Sequence, residues 1–202
     1  MNYSSDILFS LNEAHLAASI YLQDQTKQFV HDFTTLLTEC FQNRGKLLVC
    51  GNGGSLCDAM HIAEEFTGQF RKKRKALPAL ALSDASHITC VANDMGFDQV
   101  FSRSVEAFGE KNDILLVLST SGNSLNVVNA AKMAREKGLK VVNLLGKGGG
   151  LLKGLGDLEF IVEGFKYSDR IQEIHMTLMH IVIEACENKM FYQTKLPELI
   201  NL

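Results

Sequence analysis

The stretch that decides the fold is Ile114-Leu115-Leu116-Val117-Leu118-Ser119-Thr120-Ser121-Gly122-Asn123-Ser124. Five apolar residues with no polar one among them run into a turn of hydroxyls, and a helical pattern then continues to about Gly138. A half-buried strand alternates apolar with polar; a strand covered on both faces does not, and it belongs to a parallel sheet sandwiched between helices. Working outward, the same texture recurs at residues 46–50, 79–82, 140–145 and 158–162, with glycine, serine and asparagine between the runs and helical stretches after them. The reading is α/β: a doubly wound sandwich on a five-stranded parallel sheet.

Around that core the periodicity is helical. Ile7, Leu8, Leu11, Ala14 and Leu16, then Phe29, Val30, Phe33, Leu36, Leu37 and Phe41, fit two helices divided near Asp24. From Asp169 to Glu187, Ile171, Ile174, Met176, Leu178, Met179, Ile181, Val182 and Ile183 cover nearly the whole circumference of a third. A helix apolar all round is buried, and in a small domain the expected cover is another subunit. Residues 1–202 read as a single domain, with N-terminal helices over 1–43 and the α/β core and C-terminal helix over 44–202.

Composition narrows the function. The chain has 20 Lys plus Arg against 23 Asp plus Glu, a net charge of −3, which lacks the basic excess of a nucleic-acid footprint. No apolar run approaches the ~20 residues that span a bilayer. No Lys or Arg precedes Lys27, so the start does not read as a secretory signal and a cytoplasmic protein is expected. The five cysteines, Cys40, Cys50, Cys57, Cys90 and Cys186, contain no Cys-x-x-Cys and read as small buried hydrophobes.

Ligands of doubly wound sheets bind beyond the carboxyl ends of the strands. Two loops stand out there. Gly51-Asn52-Gly53-Gly54-Ser55 leaves the first strand and opens a helix; its glycines permit close backbone approach, and the helix start offers free N–H groups to an anion. The dinucleotide fingerprint fails at Leu56, where a final glycine belongs. Residues 119–124 bring four hydroxyls, a glycine and a helix start together, a cradle for a phosphate monoester without a lysine, or else a generous N-cap. Gly146-Lys147 is not a phosphate-loop motif, since Val141 and Gly148 stand where glycine and Ser or Thr are needed.

His61 and Glu65 are four apart, ~40° from one another around a helix, and suit either metal ligation or acid/base work. The string His-x-x-Glu-Glu matches neither familiar zinc protease motif. The last helix holds Gln172, Glu173, His175 and His180, with His180 either hydrogen-bonded filler or functional. Glu173 lies within ~20° of His180 around that helix and Gln172 ~80° away, so spacing leaves the partner open. The basic run Arg71-Lys72-Lys73-Arg74-Lys75 reads as a solvated loop, and Asn93-Asp94 with Gly96 as a turn.

Taken jointly, Cys-Gly-Asn-Gly-Gly-Ser at 50–55, His-x-x-x-Glu at 61–65, Ser-Asp-x-Ser-His at 83–87, Ser-Thr-Ser-Gly-Asn-Ser at 119–124 and Asp-Arg-Ile-Gln-Glu-Ile-His at 169–175 resemble the phosphoheptose isomerases, of the sugar isomerase (SIS), flavodoxin-like fold. The resemblance covers nearly the whole chain. It implies conversion of sedoheptulose 7-phosphate to D-glycero-D-manno-heptose 7-phosphate, early in ADP-heptose synthesis for lipopolysaccharide, by a homotetramer with sites between subunits. It further implies one zinc ion per subunit on His61, Glu65, Gln172 and His180. Substrate contacts are implied at Asn52, Gly53, Gly54, Glu65, Asn93, Asp94, Ser119, Thr120, Ser121, Ser124, Asp169 and Gln172. The sequence departs at Gln69, where many members have Arg, and at Leu56, where some have a polar residue.

Moving a proton between C1 and C2 of a sugar through an enediol needs a base on carbon and an acid on oxygen, and Glu65 and His180 are the catalytic pair this assigns. The alternative is a non-catalytic SIS protein that binds a replication initiator or another protein partner; the Glu65 and His180 pair favours the enzyme. Sugar-phosphate-sensing regulators and arabinose 5-phosphate isomerases usually carry further domains, for which this chain has no residues.

Overall fold

The five strands are β1 (Leu47–Gly51), β2 (Ala79–Ala81), β3 (Ile114–Ser119), β4 (Lys140–Gly146) and β5 (Leu158–Val162), all parallel in the order β2-β1-β3-β4-β5. The computed structural model describes residues 3–192, so the outermost residues of the domain read from the sequence lie outside the described ones. The helices are α1 (Ser5–Ser19), α2 (Asp24–Gln42), α3 (Gly54–Thr67), α4 (Ala85–Asp94), α5 (Val100–Phe108), α6 (Leu125–Glu136) and α7 (Ser168–Glu187). The expected strands are all present, and the break between the first two helices is a 3-10 turn at Ile20–Leu22.

Every residue of β1 and β3 is buried, because each strand has helices on both sides. Leu47, Val49, Leu116, Leu118, Val142 and Leu144 face a layer that includes Phe33 and Leu37 of α2, Ile62 and Phe66 of α3, and Ile174 and Leu178 of α7. Leu48, Leu115, Val117, Val141 and Leu145 face Val100 and Val105 of α5 and Val127 and Ala131 of α6. This two-sided burial removes the alternation that one-sided strands show.

The order of the sheet fixes the site. The chain passes from β1 outward to β2, then crosses back to β3 on the other side of β1, so β1 and β3 are neighbours whose following helices, α3 and α6, lie on opposite faces. Gly51 pairs with Leu118 in register, and their loops therefore emerge side by side at the switch point, where doubly wound sheets take ligands.

Several expectations need correction. α7 is buried chiefly by its own chain: Ile171, Ile174, Leu178, Met179, Val182 and Ile183 are inaccessible beneath α2, α3 and the sheet, while Ile181 stays exposed. Periodicity reports that a face is covered, not by what. On α1 only Ala17 is buried; Ile7, Leu8, Phe9, Leu11 and Leu16 are all exposed. Cys40, Cys50 and Cys186 are buried as expected, whereas Cys57 and Cys90 are exposed, on α3 and α4. The basic run is no simple solvated loop, since the Arg74 side chain is 1% exposed and pairs with Glu187, and Arg71 pairs with Glu184.

Candidate active site

The cradle is built where β1 and β3 end. Asn52, Ser55, Ser119, Thr120, Ser121, Ser124, Ser168 and Gln172 line a cavity of about 220 Å³ floored by Leu118. Gly53 has φ of +55° and Gly122 of +66°, where a side chain is strained, and a Cβ on Gly122 would lie 1.8 Å from the Gly149 carbonyl oxygen. The first loop is locked to the start of α6 by a reciprocal amide pair: Asn52 Nδ2 donates to Asn126 Oδ1 at 2.9 Å, and Asn126 Nδ2 to Asn52 Oδ1 at 2.8 Å.

Within the cradle the serines take hydrogen bonds from the backbone. Ser119 Oγ accepts from the Gly122 N–H at 3.1 Å and Ser121 Oγ from the Asn123 N–H at 3.3 Å. A hydroxyl that accepts keeps its own proton for a ligand oxygen. Ser124 stands at the N-cap position of α6 in an extended conformation, but its hydroxyl makes no cap bond to the helix among the described residues. The cradle thus offers neutral donors at the positive end of a helix dipole, which suits a phosphate. A cation stands at the rim as well: Lys147 Nζ is 3.5 Å from Ser168 Oγ, and Ser168 Oγ in turn accepts from Thr120 at 3.0 Å. The sequence reading placed no lysine here, because Lys147 arrives from the loop after β4, in another part of the chain.

The second feature is a side-chain cluster between α3 and α7. His61 Nε2 lies 3.2 Å from Glu65 Oε1, as their spacing requires, and the His61 and His180 rings meet edge to face with centroids 5.1 Å apart. His61, Glu65 and His180 each present one donor atom, all within 4.8 Å of one another. His180 Nε2 is buried and has no hydrogen-bond partner among the described residues, an orphan of the kind that a metal or a substrate oxygen satisfies. Burial lowers the His180 pKa, the neighbouring His61 and Arg71 push the same way, and Glu65 opposes them. A neutral imidazole with a free nitrogen is the form that accepts a proton or ligates a cation. Phe70 stacks on His180 with ring centroids 5.6 Å apart and restrains the ring.

The two histidines of α7 divide the alternatives between them. His175 is the filler: fully buried, with Nε2 3.1 Å from the Leu145 carbonyl oxygen, its pKa pushed down to about 4 by burial. His180 is half-buried, and its Nε2 makes no hydrogen bond among the described residues. Gln172 lies against the first loop, its Nε2 donating to Ser55 Oγ at 3.4 Å, and Glu173 is exposed and paired with Arg170. A Cβ on Gly54 would come 2.6 Å from Gln172 Nε2, so that glycine makes room for the amide.

The remaining expected residues are further out. Asn93 and Asp94 are exposed at the end of α4, Asn93 Nδ2 bonding Asp94 Oδ1 at 2.6 Å, and they do not line the cavity. Asp169 is exposed in the first turn of α7 and Gly53 is exposed beside the cradle. Sequence reasoning missed Ser168, Lys147, Phe70 and Asp58, and it picked out the loop that holds Ser55 without naming that serine as a contact. Asp58 lies one turn before His61, with Oδ2 buried and unpartnered, and burial raises its pKa to about 6 against the pull of His61. The i, i+3 spacing of Asp58 and His61 was a usable signal for it.

Comparison with known proteins follows the same lines. The SIS domain family matches residues 16–146. The chain is 50% identical over 186 residues to a phosphoheptose isomerase of Fusobacterium nucleatum, covering 92% of this chain and 95% of that protein. It is 49% identical over 189 residues to one of Glaesserella parasuis, covering 93% and 98%. A solved phosphoheptose isomerase structure from Francisella tularensis superposes with a TM-score of 0.85 at 34% identity, over 93% of this chain and 100% of that one.

Proposed function

This chain belongs to the phosphoheptose isomerase family, and we propose that it converts sedoheptulose 7-phosphate to D-glycero-D-manno-heptose 7-phosphate, a step that serves ADP-heptose and lipopolysaccharide synthesis. The observation that carries the reading is the placement of a phosphate cradle and a His61, Glu65 and His180 cluster on the same two helices. α7 lines the cradle with Ser168 and Gln172 and supplies His180 to the cluster eight residues later, about 12 Å further along its axis. That separation lets one end of an extended sugar phosphate be held while the other reacts.

In this reading the phosphate takes hydrogen bonds from Ser119, Thr120, Ser121 and Ser124, with Lys147 at the rim. Asn52, Gly53, Gly54, Asn93, Asp94, Asp169 and Gln172 complete the proposed substrate contacts. Glu65 removes the proton from C1 of the open-chain ketose and returns one to C2, and His180 moves the proton between the two oxygens. Each group contributes about 10²- to 10⁴-fold to the rate. His61, 3.2 Å from Glu65, holds the carboxylate in place. The donor set fits a divalent cation, because two imidazoles and a carboxylate with one orphaned nitrogen are zinc chemistry. We therefore assign one zinc per subunit to His61, Glu65 and His180, with Gln172 as fourth ligand; its 3.4 Å bond to Ser55 is weak enough to be given up. Bound there, zinc supplies Lewis-acid stabilisation of negative charge on a sugar oxygen.

The exposed apolar residues of α1 support a homotetramer, since a helix that buries only Ala17 in its own chain has its apolar surface left for other copies. Among the described residues no helix is long and apolar enough to cross a membrane; the cytoplasm is the compartment that a phosphorylated sugar substrate supports. The deciding experiment is a proton NMR time course with sedoheptulose 7-phosphate in D₂O, beside Glu65→Gln and His180→Gln. New aldose anomeric signals, absent in both variants, are expected; an unchanged ketose with folded wild-type protein overturns the reading in favour of a binding protein. Light scattering is expected to give about four times the single-chain mass, and a monomer refutes the assembly.

A further inference from the structure

The loop between α3 and β2 leaves one of its five basic side chains inside the protein. Arg74 Nε donates to Glu187 Oε1 at 2.6 Å, and the two side chains are 1% and 3% exposed. Buried charges are costly unless each finds its full set of partners. Arg74 finds them on α3. Its Nη2 donates to the Glu65 carbonyl oxygen at 2.6 Å; its Nη1 donates to the carbonyl oxygens of Phe66 at 2.7 Å, Gly68 at 3.1 Å and Lys75 at 3.3 Å.

Glu65 and Phe66 lie in the last turn of α3, whose carbonyls have no partner inside the helix. The backbone beyond supplies two N–H groups, from Gly68 to the Glu64 carbonyl oxygen at 2.7 Å and from Leu77 to that of Phe66 at 3.0 Å. The guanidinium takes the Glu65 carbonyl and adds a second donor to that of Phe66, so it caps the end of α3, and its charge matches the negative end of the helix dipole. Glu187, which holds that guanidinium, is the last residue of α7. One buried ion pair therefore ties together the ends of the two helices that carry the cluster, and it does so through the backbone of Glu65 itself. A helix's last turn is where it frays, and Glu65 is two residues from the end of α3.

We propose that Arg74, braced by Glu187, is a positioning residue that holds Glu65 in register with His61 and His180. The inference rests on the assignment of Glu65 to the reacting site. An apolar pair of the same volume would hold α3 to α7 as well as an ion pair does. What it would lack is a directed donor on the Glu65 carbonyl, since that of Phe66 would keep the Leu77 N–H. Lysine cannot replace the arrangement either, because one ammonium cannot reach Glu187 and the carbonyls in the planar fork that a guanidinium presents.

The test compares wild type with Arg74→Lys and Glu187→Gln by three readouts: kcat and KM for isomerisation, Co²⁺ titration followed by its visible absorption, and competitive inhibition by inorganic phosphate. Both variants are expected to lose about 10- to 100-fold in kcat and a similar factor in Co²⁺ affinity, as loss of an outer partner of a reactive group does. KM and phosphate inhibition should stay near wild type, because the cradle is untouched. A folded Arg74→Lys with lowered melting temperature but wild-type kcat and Co²⁺ affinity would make the pair a structural strut and overturn the proposal. If Arg74→Lys does not fold, Glu187→Gln decides alone, since it keeps an oxygen for Nε and removes only the charge. A wild-type protein that neither isomerises nor binds Co²⁺ would remove the assignment of Glu65, and this proposal with it; that failure shows before any variant is compared.

Discussion

At the ends of β1 and β3 the protein offers hydroxyls and backbone N–H groups from two short loops, whereas further along α3 and α7 it offers two imidazoles and a carboxylate from two helices. The cradle is fixed by sheet topology, by glycines at positive φ and by the Asn52–Asn126 amide pair, and its hydroxyls do not titrate. The cluster is fixed by helix packing, by the Phe70 ring and by the Arg74 cap. On the proposed function, binding and chemistry share only Gln172, so damage to one half should leave most of the other intact.

The largest expected effect tests that separation. His61→Ala removes one of the three clustered donors, and zinc affinity should fall by more than the roughly 100-fold that loss of an outer partner brings. Metal analysis of protein purified without chelator should find zinc in wild type and little in the variant, while competitive inhibition by inorganic phosphate stays unchanged. Phosphate inhibition that weakens in step with zinc loss would mean that the two halves are one cooperative unit.

The second prediction concerns α7, which contributes to both halves and carries His175 between them. The folded pKa of His175 is about 4, below the ordinary value of 6.5, so between those pH values the unfolded chain binds a proton that the folded one does not. Stability therefore falls as pH drops from about 6.5 to 4, by roughly 3 kcal/mol from this residue alone. Urea unfolding at pH 7 and 4.5 should show the loss in wild type and a smaller one in His175→Gln, where nothing titrates. Equal losses in both would assign the acid sensitivity to other groups and leave α7 as a neutral scaffold.

How much of this was legible follows the same division. The strands and the cradle could be read because each is contiguous: five apolar residues, then hydroxyls, in one loop. His61 and Glu65 could be read because they share a helix turn. His180 could not be joined to them by spacing, since their meeting depends on α3 packing on α7; the family resemblance made that connection. Nothing in the run Arg71-Lys72-Lys73-Arg74-Lys75 distinguishes the buried arginine from its exposed neighbours, because the distinction is made by Glu187 more than a hundred residues away. Lys147 was hidden for the same reason. The cover of α7 was misassigned because periodicity describes one face of a helix and is silent on its neighbour.

The smallest effect sharpens the account of the cradle. Ser119 and Ser124 both line it, but Ser119 Oγ also accepts the Gly122 N–H at 3.1 Å, whereas Ser124 makes no bond to the helix it opens. Ser124→Ala should therefore weaken only the hold on phosphate, raising KM about tenfold, which corresponds to about 1.5 kcal/mol for a hydrogen bond to a charged group. Its kcat and unfolding midpoint should match wild type. Ser119→Ala should raise KM similarly and in addition lose about 1 kcal/mol of stability, because the buried Gly122 N–H is left without its acceptor. Steady-state kinetics and urea unfolding on the two variants distinguish the roles. Equal stability in both would show that the loop is held by Gly122 and its packing on Gly149 rather than by the serine, and the cradle would then owe its shape to backbone alone.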